Sequence, residues 1–289
     1  EYNLLGQVVS TTDGNGNRTE YKYNNRGFIT EVTNAEGNTK CFTYNESSKV
    51  VCIRDFDGST IFREYNAINK ISKITNQEGN SITFEYDKMY NVSRRVEANG
   101  AETRFVYNKL NRLERMINTQ GAEMVYEYDA NGNRTQILDS EGGVTRFEYD
   151  ALNRLIAVED ADGSYSRVEY NQFGQKTKLI DAIGSERRYI YDKAGQKIAS
   201  IDAKGNETKY SYNKLGRLSE VIDSEGRKTT YDYLQGGLLE QITYPDGTFV
   251  CYTYDKNRNV TSKTNQDGYT ICYTYDCMNR LTGIAEEKG

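Results

Sequence analysis

Histidine and tryptophan are absent from this 289-residue chain, and proline occurs once. Without histidine, a Ser-His-Asp or Cys-His nucleophile has no base of the usual kind. A basic excess is lacking as well: 37 Lys and Arg stand against 42 Asp and Glu, a net charge of −5, with a pI of about 5.2. A nucleic-acid binder held by phosphate contacts needs the opposite balance. No apolar run approaches the ~18 to 20 residues that a membrane span requires. The five cysteines, Cys41, Cys52, Cys251, Cys272 and Cys277, are too few and too irregular for a disulfide framework. With no histidine and no Cys-x-x-Cys pair, a tetrahedral metal site has no ligand set either, and no cofactor is expected.

What the chain has instead is tyrosine, 25 residues of it. Tyr followed by Asn or Asp stands at Tyr2, Tyr23, Tyr44, Tyr65, Tyr86, Tyr107, Tyr128, Tyr149, Tyr170, Tyr191, Tyr212, Tyr254 and Tyr275, and Tyr233 fills the remaining place before Leu234. The spacing is 21 residues throughout, so residues 1–289 read as one array of fourteen repeats, the last incomplete. The chain opens at Glu1 without a Met and stops at Gly289 within a repeat. A piece of a longer protein is expected, and the lack of a signal peptide then carries no information.

With the tyrosine at position 0, Asn or Asp follows at +1 in thirteen copies, and Gly or Asn at +4 in eleven. Ten residues on the grammar returns: Asp or Asn at +11 in eleven copies, and Gly at +14 in every copy from Gly16 to Gly289. Asx side chains bond the backbone N–H groups downstream of them, and Gly or Asn tolerates the left-handed conformation that ends such a turn. Both turns therefore read as a type I turn followed by a left-handed residue, a common short hairpin loop.

The segment before each tyrosine alternates, with Thr145, Phe147 and Tyr149 on one face and Val144, Arg146 and Glu148 on the other. Position +19 is Tyr or Phe except at Arg63 and Val168. This is a half-buried strand with an aromatic face and a charged face. The other segment places aliphatic residues at +6 and +9; three apart does not fit a period of two, which predicts a β-bulge. Each repeat is thus two antiparallel strands, about 28 in all. At ~4.8 Å per strand a flat sheet of that size would run ~130 Å, and open sheets rarely pass ~10 strands without curling. The fold class is all-β: a continuous antiparallel sheet of hairpin repeats that coils into a spiral or shell. Either the coil itself or a packed second layer must cover the aromatic face.

Tyr-Asp-x-x-Gly/Asn-x-Leu, then Asp-x-x-Gly, then Thr-x-Tyr-x-Tyr-Asp resembles the YD repeat, also called the RHS (rearrangement hotspot) repeat, over the whole chain. "YDALNRL" from Tyr149, "YNKLGRL" from Tyr212 and "YDCMNRL" from Tyr275 carry the likeness. The resemblance implies a large bacterial secreted or surface protein, with relatives in the teneurins, whose hairpins spiral into a hollow β-shell. In toxin complexes and polymorphic toxins such a shell encloses a C-terminal toxin domain. Two departures stand out. Family turns often read Asp-Pro-x-Gly, whereas here only Tyr244–Gly247, "YPDG", has the proline. The family's C-terminal core segment, associated with autoproteolysis, is missing, so neither self-cleavage nor toxicity transfers to these residues.

Other features invite chemistry. Asp13, Asn15 and Asn17 alternate as Ca²⁺ ligands do, as do Asp55/Asp57, Asp129/Asn131/Asn133 and Asp160/Asp162. An EF-hand loop, however, wants Gly and Glu where Arg18 and Asn24 stand, so Asx-capped turns are the expectation. Arg146, Arg167, Arg188 and Lys209 recur at +18; with Glu148, Glu169, Glu186 and Glu207 beside them they read as a charge-balanced solvated face. Cys251 and Cys272, separated by a strand, lie ~10 Å apart, too far to bond. Cys41 and Cys52 flank a turn and are placed to face each other across a hairpin, their bonding left open. No catalytic, cofactor-binding or metal residue is assigned. Leu234 with Gly236 and Gly237, Tyr90 at +4 and Arg63 at +19 break the pattern as local packing variations. The expected role is a scaffold that encloses or displays a C-terminal domain of the same polypeptide. The alternative is a carbohydrate or cell-surface binding module using exposed Tyr rows.

Overall fold

The computed structural model describes residues 1–288. They form a single 27-stranded sheet, running from Ser10–Thr12 to Leu281–Lys288. Every strand is antiparallel to its neighbours in sequence, so the sheet is an uninterrupted meander. The first repeat supplies a bridge, Tyr2 opposite Val8, where later repeats have a longer ladder.

From Arg18–Tyr23 onward, the expected bulge is present in each hairpin that a Tyr-Asx turn closes. In the pair Val144–Tyr149 and Leu155–Glu159, Glu148 faces Ala157 and Tyr149 faces Leu155, which leaves Ile156 as the extra residue. The bulge brings Leu155 and Val158, three apart, to the face that carries Tyr149 and Phe147.

The turns have the expected geometry. At Asp150, the carbonyl accepts from Asn153 N–H at 2.9 Å, and Oδ1 accepts from the N–H groups of Leu152 and Arg154 at 2.9 and 3.0 Å. The thirteen glycines from Gly16 to Gly268 at +14 all have φ between 80 and 93°. At +4 the conformation survives even where the residue resists it: Ser48, Tyr90 and Arg258 take φ of 61, 67 and 73°. Leu234, with no side-chain cap to offer, still closes its turn through Gly237 N–H at 2.8 Å. Tyr90 and Leu234 are therefore ordinary members of the backbone pattern.

No second layer covers the sheet among the described residues. Among the described residues only Ala157, Ala199 and Val250 are buried hydrophobics, and no large side chain is fully buried. The accessible surface is 18797 Å², against about 12,500 Å² for a compact monomer of this mass. Burial is spread thinly over both faces of one coiled layer. The coil brings the chain back onto itself: Asn15 bonds Asp255, 240 residues away, and Asn34 meets Met278, 244 away. The turn after the first strand thus lies against the Tyr-Asx turn twelve repeats later. Twelve repeats are 24 strands, about 115 Å of contour and so a ring on the order of 35–40 Å across.

Two cysteine expectations are resolved by register. Cys41 faces Arg54 and Cys52 faces Thr43, so the two lie diagonally across their hairpin and not opposite each other. Diagonal neighbours stand ~7–8 Å apart, beyond disulfide reach; all five cysteines are free. Cys251 and Cys272 flank the strand Val260–Thr264, facing Thr264 and Ser262 respectively.

Candidate functional site

The residue that recurs most strictly does structural work at one atom. The hydroxyls of thirteen repeat tyrosines, Tyr23 to Tyr275, each donate to the backbone carbonyl fifteen residues earlier, at 2.7–3.1 Å. The reason lies in the ladders. Between Leu155–Glu159 and Tyr165–Tyr170 the pairing ends at Ala157 opposite Arg167. Beyond it the Tyr170 hydroxyl reaches the Leu155 carbonyl at 2.9 Å. A carbonyl that the backbone ladder leaves behind is thus paired by a side chain, as a part-buried polar group requires.

Straps from position +5 reinforce the clamp. The Arg154 guanidinium lies 4.6 Å from the Tyr170 ring centre, donates to the Asn171 carbonyl at 3.1 Å and pairs with Asp150 at 2.6 Å. Arg112 treats Tyr128 and the Asp129 carbonyl in the same way. Hydrogen bonding from Arg154, side chain first and backbone next, holds the Asp150 carboxyl below its ordinary range. Burial pushes the phenols of Tyr44, Tyr86, Tyr191 and Tyr212 upward.

The Ca²⁺-like clusters are turn caps. Asp13 Oδ1 accepts from Asn15 and Asn17 N–H, and Oδ2 from the Asn17 amide, each within 3.0 Å. Asp129 receives Asn133 in the same way, Asp57 receives Ser59 N–H and Asp162 receives Ser164 N–H. Among the described residues no group of three or more Cys, Asp or Glu side chains is arranged to hold a metal. Three of the four +18 cations are paired: Arg146 with Glu159, Arg188 with Glu186 and Lys209 with Glu207. Arg63 stands in the aromatic row opposite Ile74, its Nε buried without a partner.

The feature that sequence reasoning missed is the seam. Asn15 Nδ2 donates to Asp255 at 2.9 Å and Asn257 Nδ2 to Asp13 at 2.6 Å. Lys256 N–H reaches Asn15 Oδ1 at 3.1 Å, and Asn15 N–H reaches Asn257 Oδ1 at 3.2 Å. Gly14 makes the approach possible, since a Cβ there would sit 2.6 Å from the Lys256 carbonyl oxygen. One repeat on, Asn34 is 6 % exposed beneath Met278. Burial, and then the Glu36 carboxylate, push the Cys277 thiol upward.

A single-layer sheet of hairpin repeats, coiled through a full turn and closed on its own rim, is a structural shell. The chain belongs to the Teneurin YD-shell family, whose model matches residues 1–151, 59–210 and 143–265. Among solved structures it is similar to a crystal structure of TcdB2-TccC3-TEV, with 18% identity and a TM-score of 0.79 over 99% of this chain and 19% of that one. It is similar also to the Photorhabdus luminescens Tc holotoxin pore, with 15% identity and a TM-score of 0.60 over 99% of this chain and 21% of that one. The chain therefore spans about a fifth of the length of either. No curated protein matches it.

Proposed function

We propose that residues 1–289 are one continuous array forming a wall segment of a non-enzymatic shell that encloses or displays a further domain of the same polypeptide, in a secreted or cell-surface protein. The observation that carries this reading is the seam: a ribbon that seals against its own rim after twelve repeats walls off a volume, which an open trough does not. The tyrosine hydroxyls support it, because a phenol committed to a main-chain carbonyl is not free to recognise a sugar. The absence of histidine and the placement of carboxylates at capped turns leave nothing poised for acid–base work.

The test is limited proteolysis of the full natural polypeptide beside its separately expressed non-repeat domain. Protection of that domain within the full polypeptide, and its loss when the array is unfolded, is the expected result. Equal cleavage in both settings, or capture of the array alone on immobilised glycans, contradicts the reading.

A further inference from the structure

We propose that the sheet face carrying the repeat tyrosines is a docking surface for an acidic polypeptide, one that sets carboxylates among apolar side chains. This goes beyond enclosure, which requires only a wall. Charge is divided unequally between the two faces. Strand positions 0, +6, +9, +17 and +19 share the tyrosine face, and +8, +10, +16, +18 and +20 share the other. Across residues 2–285 the tyrosine face holds 8 Lys and Arg and no Asp or Glu, while the other holds 13 against 14. Eleven of those 13 cations form ion pairs, Arg94 and Lys178 among them. On the tyrosine face only Lys40 and Arg95 do so, with the turn carboxylates Asp55 and Glu97.

The remaining cations wait for a counter-charge. Arg134 and Lys197 lie against tyrosine and phenylalanine rings. Among the described residues Arg63, Lys176, Arg187 and Lys263 have no ion pair, hydrogen bond or ring contact at their charged ends. Arg63 Nε is shut off from water in the aromatic row, and half-buried Lys263 stands opposite Tyr252. A donor withdrawn from water is costly until an acceptor arrives. The spacing suits a polypeptide. Lys176 and Lys197 are two strand spacings apart, ~10 Å, with Tyr191 between them, and an extended chain covers that in about three residues. Leu155, Leu179 and Leu218 on the same face call for apolar side chains between the carboxylates. A nucleic acid offers no such surface, and a net charge of −5 does not favour a phosphate polyanion.

The test is fluorescence anisotropy of the 289-residue chain with a labelled peptide, Glu-Leu-Gly repeated four times, beside its Gln-Leu-Gly counterpart. Expected is saturable binding of the Glu peptide below about 1 mM, roughly tenfold tighter than the Gln peptide and weakened by salt. Lys176→Glu/Arg187→Glu, at two exposed and unpaired side chains, weakens binding by roughly tenfold or more with circular dichroism unchanged. Lys176→Gln, a milder change, weakens it about threefold and reports even if the double variant misfolds. Arg167→Glu, exposed on the opposite face, leaves binding as it was. No binding of the Glu peptide at about 1 mM overturns the proposal, and so does binding that the Lys176 variants leave intact. Equal or tighter binding of an oligothymidylate or of heparin overturns it in favour of a phosphate or sulfate polyanion.

Discussion

The two ends of each repeat solve the same turn problem with different tolerance. The Tyr-Asx end accepts Gly, Asn, Ser, Tyr or Arg at its left-handed position, relaxing to φ of 60–73° for the non-glycines. The other end has Gly in every copy. The tolerant end is also the anchored one: a bulge sets its strands, and the next tyrosine clamps the carbonyl at +6. Where tertiary bonds fix the backbone, a strained residue is carried by its surroundings. Where the turn must hold itself, only glycine serves.

The comparison is broken hardest at the clamp. Tyr170→Ala removes a half-buried ring, its contact with Arg154 and its hydroxyl bond; a loss of about 2–3 kcal/mol is expected, below the full cost of a buried aromatic. Tyr170→Phe keeps the ring and loses about 1 kcal/mol for the unpaired carbonyl. Shifts of the urea midpoint measure both, and a neutral Tyr170→Phe contradicts the clamp.

The glycine contrast comes next. Gly163 has φ of 83°, and a Cβ added there would meet no atom beyond its chain neighbours within 4 Å, so Gly163→Ala reports backbone strain alone. It costs about 1–2 kcal/mol, whereas Gly174→Asn at the anchored end costs a few tenths, roughly the αL preference of Asn. Equal midpoints for the two variants remove the distinction between the ends.

The pH dependence sharpens the same point. Burial raises the phenol pKa of Tyr191 and, with neighbouring phenols and Asp192 adding to it, that of Tyr212. A raised folded pKa means stability is complete below the unfolded value near 10 and is lost as pH rises through the folded one. The array is expected to unfold above about pH 10 with its tyrosine absorbance change. At the acid end the sign reverses. Asp150 and Asp223, lowered by their hydrogen bonds with Arg154 and Arg227, contribute above about pH 4 and fade as pH falls through the folded values. The acid effect is the smaller, since these groups are exposed.

Most of the repeat was legible because its signals are local. The 21-residue period, the Asx caps and the left-handed glycines are written at fixed offsets, and the spacing of Leu155 and Val158 disclosed the bulge. The hydroxyl's destination was not legible, since it depends on where a ladder ends in space. Nor was the closure after twelve repeats, which sums a small rotation over 24 strands and places Asn15 beside Asp255. Cys41 and Cys52 misled because flanking a turn does not fix the register, which sets Cys52 opposite Thr43 and Cys41 opposite Arg54.

The most direct test is a distance across the seam. With the native cysteines replaced by serine, spin labels at Asn38→Cys and Thr282→Cys flank the seam without occupying its contacts. The structure predicts a narrow separation within about 25 Å, a few residue lengths. A broad distribution reaching well beyond that, toward the ~115 Å contour of an uncoiled ribbon, contradicts a sealed shell.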